Sequence, residues 1–193
     1  MFSPDADIFF QEPQNYRNPP GAYGVLYLLR RDIFQCMGID PTTKQPIPHS
    51  TLWPGAMAIL AGIDLLAKYY AGSDEMGKVG ERFRSFLDVY FKPIPADDLA
   101  TIYQLRNSLL HSFGLYSENT YKGITTKYHF ILGQNLSQFI SAQPSDVYVV
   151  DIRELHKRFE SAVLLYKNDI ERDTILQRNF TKLFPKYGAI IIG

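Results

Sequence analysis

The sequence predicts a mainly α fold, an antiparallel helical bundle carrying a small β-rich insertion. Three observations lead there. Apolar residues recur at helical spacing over residues 21–37, 51–70, 76–91, 97–113 and 152–172. Prolines and glycines punctuate the joins between those stretches. Runs rich in aromatic and β-branched residues are confined to 115–150. With 193 residues, 46% of them hydrophobic and 21% charged, the chain suits one domain that buries a core. Wholesale disorder and a fibrous repeat are excluded. The domain divides into a leader (1–20), a helical core (21–113), a β-rich insertion (114–150) and C-terminal helices (151–185).

The leader is rich in Pro, Asn and Gln and reads as irregular, with Ile8, Phe9 and Phe10 apolar enough to lie on the body. The first helix, 21–37, carries Val25, Leu28, Leu29, Ile33 and Cys36 on one stripe, and Gly38 is placed to end it. Three prolines in 39–50 make a stiff loop. The second helix, 51–70, takes Pro54 in its first turn, where the missing N–H is harmless. Gly55, Ala58 and Gly62 form a ridge of small residues, and the helix is apolar nearly all round before Asp64. A helix of that kind belongs at the centre of a bundle. Asp64 and Lys68, four apart, are expected to pair on its exposed face.

The third helix, 76–91, buries Val79, Phe83, Phe86, Leu87 and Tyr90, and Pro93 and Pro95 stop it. The fourth opens on Asp97 and Asp98, acids suited to a helix N-terminus, and Gly114 is expected to stop it after Phe113. Residues 115–116, 128–132 and 147–150 suit a small antiparallel sheet, with a short helix around 136–140. That segment is too short for a core of its own, so Phe130 and Leu132 should face the helices. A long helix, 152–172, turns Leu155, Phe159, Val163 and Tyr166 inward, and a shorter one carries Ile175, Leu176, Phe180 and Leu183. The tail, 188–193, is apolar.

Several function classes fall away. Twenty basic residues against twenty acidic ones argue against a broadly cationic nucleic-acid coat, although a local basic site is compatible with them. The single cysteine, Cys36, permits no intrachain disulfide and no Cys-based zinc site, and on an apolar helix face it reads as packing. The longest apolar stretch, 52–63, is short of the roughly 20 residues a membrane span requires. The acidic, Pro-containing N-terminus is not a signal peptide, so a cytoplasmic location is expected. The four histidines, at 49, 111, 129 and 156, lack metal-ligand spacing, and no phosphate-cradling glycine loop occurs. No metal and no cofactor is expected.

The informative hexamer is Arg106-Asn107-Ser108-Leu109-Leu110-His111. On the fourth helix the apolar stripe comprises Leu99, Ile102, Tyr103, Leu109, Leu110 and Phe113, and Arg106 falls in its middle. A guanidinium there must face an acid, a groove or a partner surface. Such a broken local rule is what functional sites produce. Asn107 and His111 sit four apart on one face, whereas Arg106 lies about 140° from His111 on an ideal helix. The three converge only if arginine's length and a last turn loosened at Gly114 allow it, or across a symmetric dimer.

This hexamer resembles the RNxxxH (Rx4–6H) signature of the HEPN domain, an all-helical fold found in many prokaryotic RNA-cleaving toxins and defence proteins. The resemblance covers 21–113 and the 152–172 helix; the 115–150 segment lies outside that common core. It implies metal-independent cleavage of RNA by attack of the 2′-hydroxyl on its own phosphate. Arg106 would bind phosphate oxygens, His111 would move protons and Asn107 would orient His111 or contact the phosphate. It also implies a homodimer that builds its site at the two-fold interface and, for a toxin, a cognate antitoxin protein. The stripe of the fourth helix and the nearly all-apolar second helix independently suggest more buried surface than one bundle supplies.

Three readings follow. The first is an endoribonuclease, a toxin or defence effector, favoured by the intact motif. The second is a non-catalytic HEPN-like module in which Arg106 holds a nucleotide, RNA or a protein partner. The third is an interaction protein in which the motif is coincidence. Overall neutrality favours the second and third over a ribonuclease of high non-specific affinity.

Overall fold

In chain order, the computed structural model, which describes residues 4–14 and 21–192, runs α1 (Pro4–Phe9), β1 (Gly21–Gly24), α2 (Val25–Cys36), α3 (Leu52–Ala71), a 3₁₀ turn (Met76–Lys78), α4 (Val79–Tyr90) and α5 (Ala96–Ser112). It continues with β2 (Tyr116–Tyr121), β3 (Ile124–Gly133), β4 (Ile140–Gln143), β5 (Val147–Asp151), α6 (Ile152–Arg172), α7 (Thr174–Tyr187) and β6 (Ala189–Ile192). Among the described residues no helix is long and apolar enough to cross a membrane.

α3 is the axis of the helical part, packing against α2, α4, α5, α6 and α7. Its sequence explains this. Ile59, Leu60, Ile63 and Leu66 are fully buried, on a helix with no charge before Asp64. The predicted ridge of small residues is where neighbours come close. A Cβ at Gly62 would stand 2.7 Å from the Phe159 ring of α6, and one at Gly55 would strike Met37. Gly72, at φ 61°, closes the helix in the left-handed conformation that favours glycine.

α6 starts where β5 ends because Asp151 caps it, accepting a hydrogen bond from the Glu154 amide at 3.0 Å. Leu155, Phe159, Val163 and Tyr166 all face the core, as their spacing predicts. Phe9 and Phe10 of the leader are buried too, and Phe9 packs against Tyr69 and Phe180 at ring-centroid distances of 4.8 and 5.4 Å.

The fold class departs from the prediction. Among the described residues the structure is 58% helical with two sheets, an α/β mixture rather than a mainly helical bundle. Two causes are visible. The 115–150 segment forms a four-stranded sheet, ordered β2-β3-β5-β4, whose inner side shares the helices' core. Tyr128, Phe130 and Val150 are buried there, and Leu132 is half-buried against them. Separately, β1 pairs antiparallel with β6, Gly21 opposite Ile192 and Gly24 opposite Ala189. Residues 21–24, expected as the first turn of a helix, are therefore a strand, and the apolar tail is docked. That pairing joins segments far apart in the sequence, which local periodicity does not register.

The larger sheet also differs in detail. β2–β3 and β4–β5 are antiparallel, but β3 and β5 run parallel, with Phe130 opposite Tyr148 and Leu132 opposite Val150. The expected helix around 136–140 is instead a loop entering β4 at Ile140. This loop carries the chain to the far edge, so that β5 returns between β4 and β3 and parallel to β3. The Asp151 side chain holds the loop, accepting from the Leu136 amide at 2.6 Å.

One buried polar cluster lies under α2 and α6. Arg30, 2% exposed, meets Glu160 at 2.6 Å, with Glu12 at 3.4 Å beside it. Next to them His156 is buried, packed edge-on against Phe34, and its Nε2 has no hydrogen-bond partner among the described residues. Burial, with Arg30, Arg153 and Lys44 as nearby positive charges, lowers its pKa from 6.5 to about 4. Above pH 6.5 the imidazole is neutral in both folded and unfolded chains and has no effect on stability. Below it the unfolded chain takes up a proton that the folded one refuses, so stability falls as pH drops from 6.5 towards 4. The loss should approach roughly 3 kcal/mol at the acid end. Urea unfolding across that pH range checks this, and His156→Phe should flatten the slope.

Candidate functional site

Arg106 stands midway along α5 and is 7% exposed. Its position follows from helix–helix packing. Ile102, Leu105 and Leu109 are fully buried on α5, and Arg106 reaches across to the one acid of α3. Its Nε donates to Asp64 Oδ2 at 2.8 Å, and its Nη2 donates to the same oxygen at 2.5 Å. The sequence pairs Asp64 with Lys68. The structure pairs it with Arg106, and turns Lys68 towards the Tyr187 ring, 4.8 Å from its centroid. The physical reason is burial. A guanidinium inside an apolar stripe loses far more without a counter-charge than a lysine that reaches solvent.

With the Nε–Nη2 edge held by Asp64, Nη1 points the other way. It donates to Asn107 Oδ1 at 3.2 Å and contacts His111 Nε2. The three motif residues therefore converge within one chain. Arginine's length spans the angle between the two positions, and the end of α5 is loosened. The Phe113 amide donates to the Ser108 carbonyl, a span of five residues, and the Gly114 amide reaches the same oxygen at 3.1 Å. This widened turn includes His111 and not Arg106. The expected stop at Gly114 is displaced by one position. Phe113 itself takes the left-handed conformation, at φ 48°, and is 71% exposed rather than part of the buried stripe. A bulky residue held there is strained backbone beside a histidine.

The contact with a guanidinium, which only donates, requires His111 Nε2 to be an acceptor. The imidazole proton is then on Nδ1. His111 is exposed, Asn107 half-buried.

Beside them an open groove of about 550 Å³ separates the last turns of α5 from β2, with Tyr103, Asn107 and His111 on one side and Tyr116, Ser117 and Glu118 on the other. The sheet is thus part of the site. β2 forms one edge of it, and Ser117 Oγ donates to Gln104 Oε1 at 2.8 Å, fastening that edge to α5.

Other chemistry-bearing residues lie elsewhere. Among the described residues no three His, Cys, Asp or Glu side chains gather as metal ligands do. His49 is exposed on the loop before α3, His129 packs against the Tyr116 ring at a tilt of 51° with centroids 4.9 Å apart, and His156 is buried near Arg30. Cys36 lies half-buried against Gly55 of α3. Compared with family models, curated proteins and solved structures, the chain matches none of them.

Asp64 and the groove residues of β2, Tyr116, Ser117 and Glu118, are the site residues that sequence reasoning passes over. A signal existed for the first. Asp64 is the only charge on α3 before Lys68, as Arg106 is the only charge amid the stripe of α5, and two such exceptions on packed helices invite each other. Asp64→Ala should leave a buried guanidinium unpaired and cost about 3 kcal/mol. Lys68→Ala should cost at most about 1 kcal/mol, the scale of an exposed cation–π contact. Chemical denaturation of both variants checks the pair; equal, small losses would show that the ion pair does not hold α3 to α5.

Proposed function

We propose that this chain is a metal-independent endoribonuclease of the HEPN type, acting as a toxin or defence effector. The observation that carries the reading is the convergence of Asn107 and His111 on one nitrogen of Arg106 at the edge of an open groove. It sets a phosphate-binding cation beside one proton-transfer group, two of the requirements for transesterification of RNA. The 2′-oxygen attacks its adjacent phosphorus and loses its proton, the P–O5′ bond breaks, and the departing 5′-oxygen takes up a proton. A 2′,3′-cyclic phosphate and a 5′-hydroxyl result.

Each residue has a part in that scheme. Asp64 occupies the Nε–Nη2 edge of Arg106, which leaves Nη1 as the edge turned to an incoming phosphate and to the charge that builds on it in the transition state. With Arg106 Nη1 drawn to the phosphate, His111 Nε2 is released from the guanidinium, and the imidazole in its protonated, cationic form gives a proton to the departing 5′-oxygen. Asn107 holds Nη1 and, through it, the imidazole. One copy offers one imidazole, whereas the scheme needs a base and an acid. A homodimer that brings a second His111 to the groove answers this. The requirement for a dimer rests on the chemistry and the family resemblance alone, because α3 is already enclosed within a single chain. The reading entails RNA as substrate, a cytoplasmic site of action and a cognate antitoxin as protein partner.

A second reading has its own support. Asp64 offsets the charge of Arg106, so a phosphate is attracted less strongly than to an unpaired arginine. This suits a non-catalytic module that binds RNA, a nucleotide or a protein.

One set of assays separates the two. Purified chain should cleave a labelled RNA in EDTA, and His111→Ala and Arg106→Ala should each slow cleavage by roughly 10²-fold or more. Arg106→Lys should also fail substantially, lacking the planar fork, while Asn107→Ala should be milder. Thermal melts should accompany the Arg106 variants, since they disturb a buried ion pair; exposed His111 gives the cleaner test. Cleavage abolished by EDTA but untouched in His111→Ala would overturn the mechanism. No cleavage by any form, with RNA binding weakened by Arg106→Ala, would favour the second reading.

A further inference from the structure

The groove beside His111 has two unlike ends, and nothing in the cleavage scheme uses the one built by the sheet. At that end Tyr116 is 41% exposed, backed by His129 with ring centroids 4.9 Å apart, and its hydroxyl donates to Glu118 Oε2 at 2.9 Å. Residues 116 and 118 point to the same side of an extended strand, the side opposite Ser117, so ring and carboxylate form one surface at the strand's edge that borders the groove. On the helix side of the groove, Tyr103 is fixed in place. Its ring packs on Phe83 at 5.8 Å, the Arg84 guanidinium lies 4.9 Å over it, and Gly80 leaves the space its hydroxyl occupies. The volume of about 550 Å³ lies within the range of small-molecule sites.

We propose that this end of the groove receives one unpaired nucleobase of the RNA, stacked on Tyr116, with guanine preferred. This rests on the ribonuclease reading for the identity of the polymer. Three arguments assign the occupant. Exposed aromatic rings beside a phosphate-handling site are how proteins hold splayed, single-stranded bases, because every base offers a π-face. The groove has a direction: Glu118 repels phosphate, whereas Arg106, Asn107 and His111 at the other end attract it, so the base lies towards the strand and the backbone towards the helix. Finally, an ionised carboxylate only accepts hydrogen bonds. Guanine is the one RNA base whose Watson–Crick edge presents two adjacent donors, N1–H and the N2 amine, which a carboxylate accepts together. Adenine, cytosine and uracil each set an acceptor beside their donor there. The sheet's edge strand thereby supplies the selectivity that a neutral chain cannot obtain from charge.

The test uses the full-length chain and 5′-fluorescein pentanucleotides, UUGUU and UUAUU, made uncleavable by 2′-O-methylation and followed by fluorescence anisotropy. UUGUU should bind more tightly than UUAUU. Tyr116→Ala should weaken UUGUU binding about tenfold, and Tyr116→Phe, which keeps the ring, by no more than about threefold. Glu118→Gln should remove the preference for guanine, and UUGUU within a duplex should bind less well than the single strand. Both positions are exposed on a strand edge, so circular dichroism should show the variants folded. Indifference of UUGUU binding to Tyr116→Ala, or equal binding of the two pentanucleotides by the unaltered chain, would overturn the proposal. The two readings fail separately. A chain that cleaves RNA regardless of residue 116 keeps the catalytic scheme and loses the stacking site. A chain that never cleaves, yet binds UUGUU through Tyr116, keeps the stacking site and loses catalysis.

Discussion

The ion pair between Arg106 and Asp64 fixes the relation of α5 to α3, and most of the site depends on it. Two charges taken from water into a helix interface repay their desolvation only when geometry and further hydrogen bonds are good. Here both Nε and Nη2 reach one carboxylate oxygen, at 2.8 and 2.5 Å. The pair orients as well as neutralises. A planar guanidinium held along one edge cannot rotate, and the opposite nitrogen must then face Asn107 and His111. Asp64 touches neither of those residues by any hydrogen bond shown between them, yet it decides where they meet.

The rest of the site depends on how α5 ends. An ideal α-helix places Arg106 and His111 about 140° apart; the long arginine side chain spans that angle, and a hydrogen bond from Phe113 back to Ser108 widens the final turn, which carries His111. The widened turn delivers the chain, through Phe113 in the left-handed region, directly into β2. The strained residue, the exposed imidazole and the first strand of the sheet are thus parts of one local event. The Ser117–Gln104 bond keeps the strand from drifting away from the helix it has just left.

These dependencies explain what could be read from the chain beforehand. Helix positions were legible because a 3.6-residue period and its Gly and Pro boundaries are local; the inward faces of α4 and α6 follow directly. The pairing of Gly21–Gly24 with Ala189–Ile192 was not, since neither strand has a partner nearby in sequence. Nor was the parallel pairing of β3 with β5, which exists only because the loop before β4 goes first to the far edge. Arg106 was legible as a broken rule. Asp64 reads as the partner of Lys68 because a lysine four residues on is the local choice, and only packing shows that a distant arginine needs the acid more. Convergence on His111 is undecidable from the sequence, as it turns on the rotamer of a long arginine that packing against Asp64 selects. Tyr116 carried no signal, because its role depends on the register of an edge strand.

Charge economy gives the arrangement its functional direction. A chain with equal numbers of acidic and basic residues has no broad field with which to gather a polyanion, and Asp64 cancels much of what Arg106 contributes. Non-specific attraction to nucleic acid is therefore weak, since that term scales with the phosphates neutralised. What remains is short-range and directional: a hydrogen-bond donor edge, an imidazole at a defined tautomer, and an aromatic ring beside a carboxylate. Contacts of that kind act only on a polymer whose backbone and base fit together. On the proposed ribonuclease reading, low background affinity and a demanding fit would reinforce each other, because an effector that held every RNA loosely could still act on the few that presented the right unpaired base. What makes the β-rich segment part of the site is the junction itself, in which the edge strand and the end of α5 line one groove.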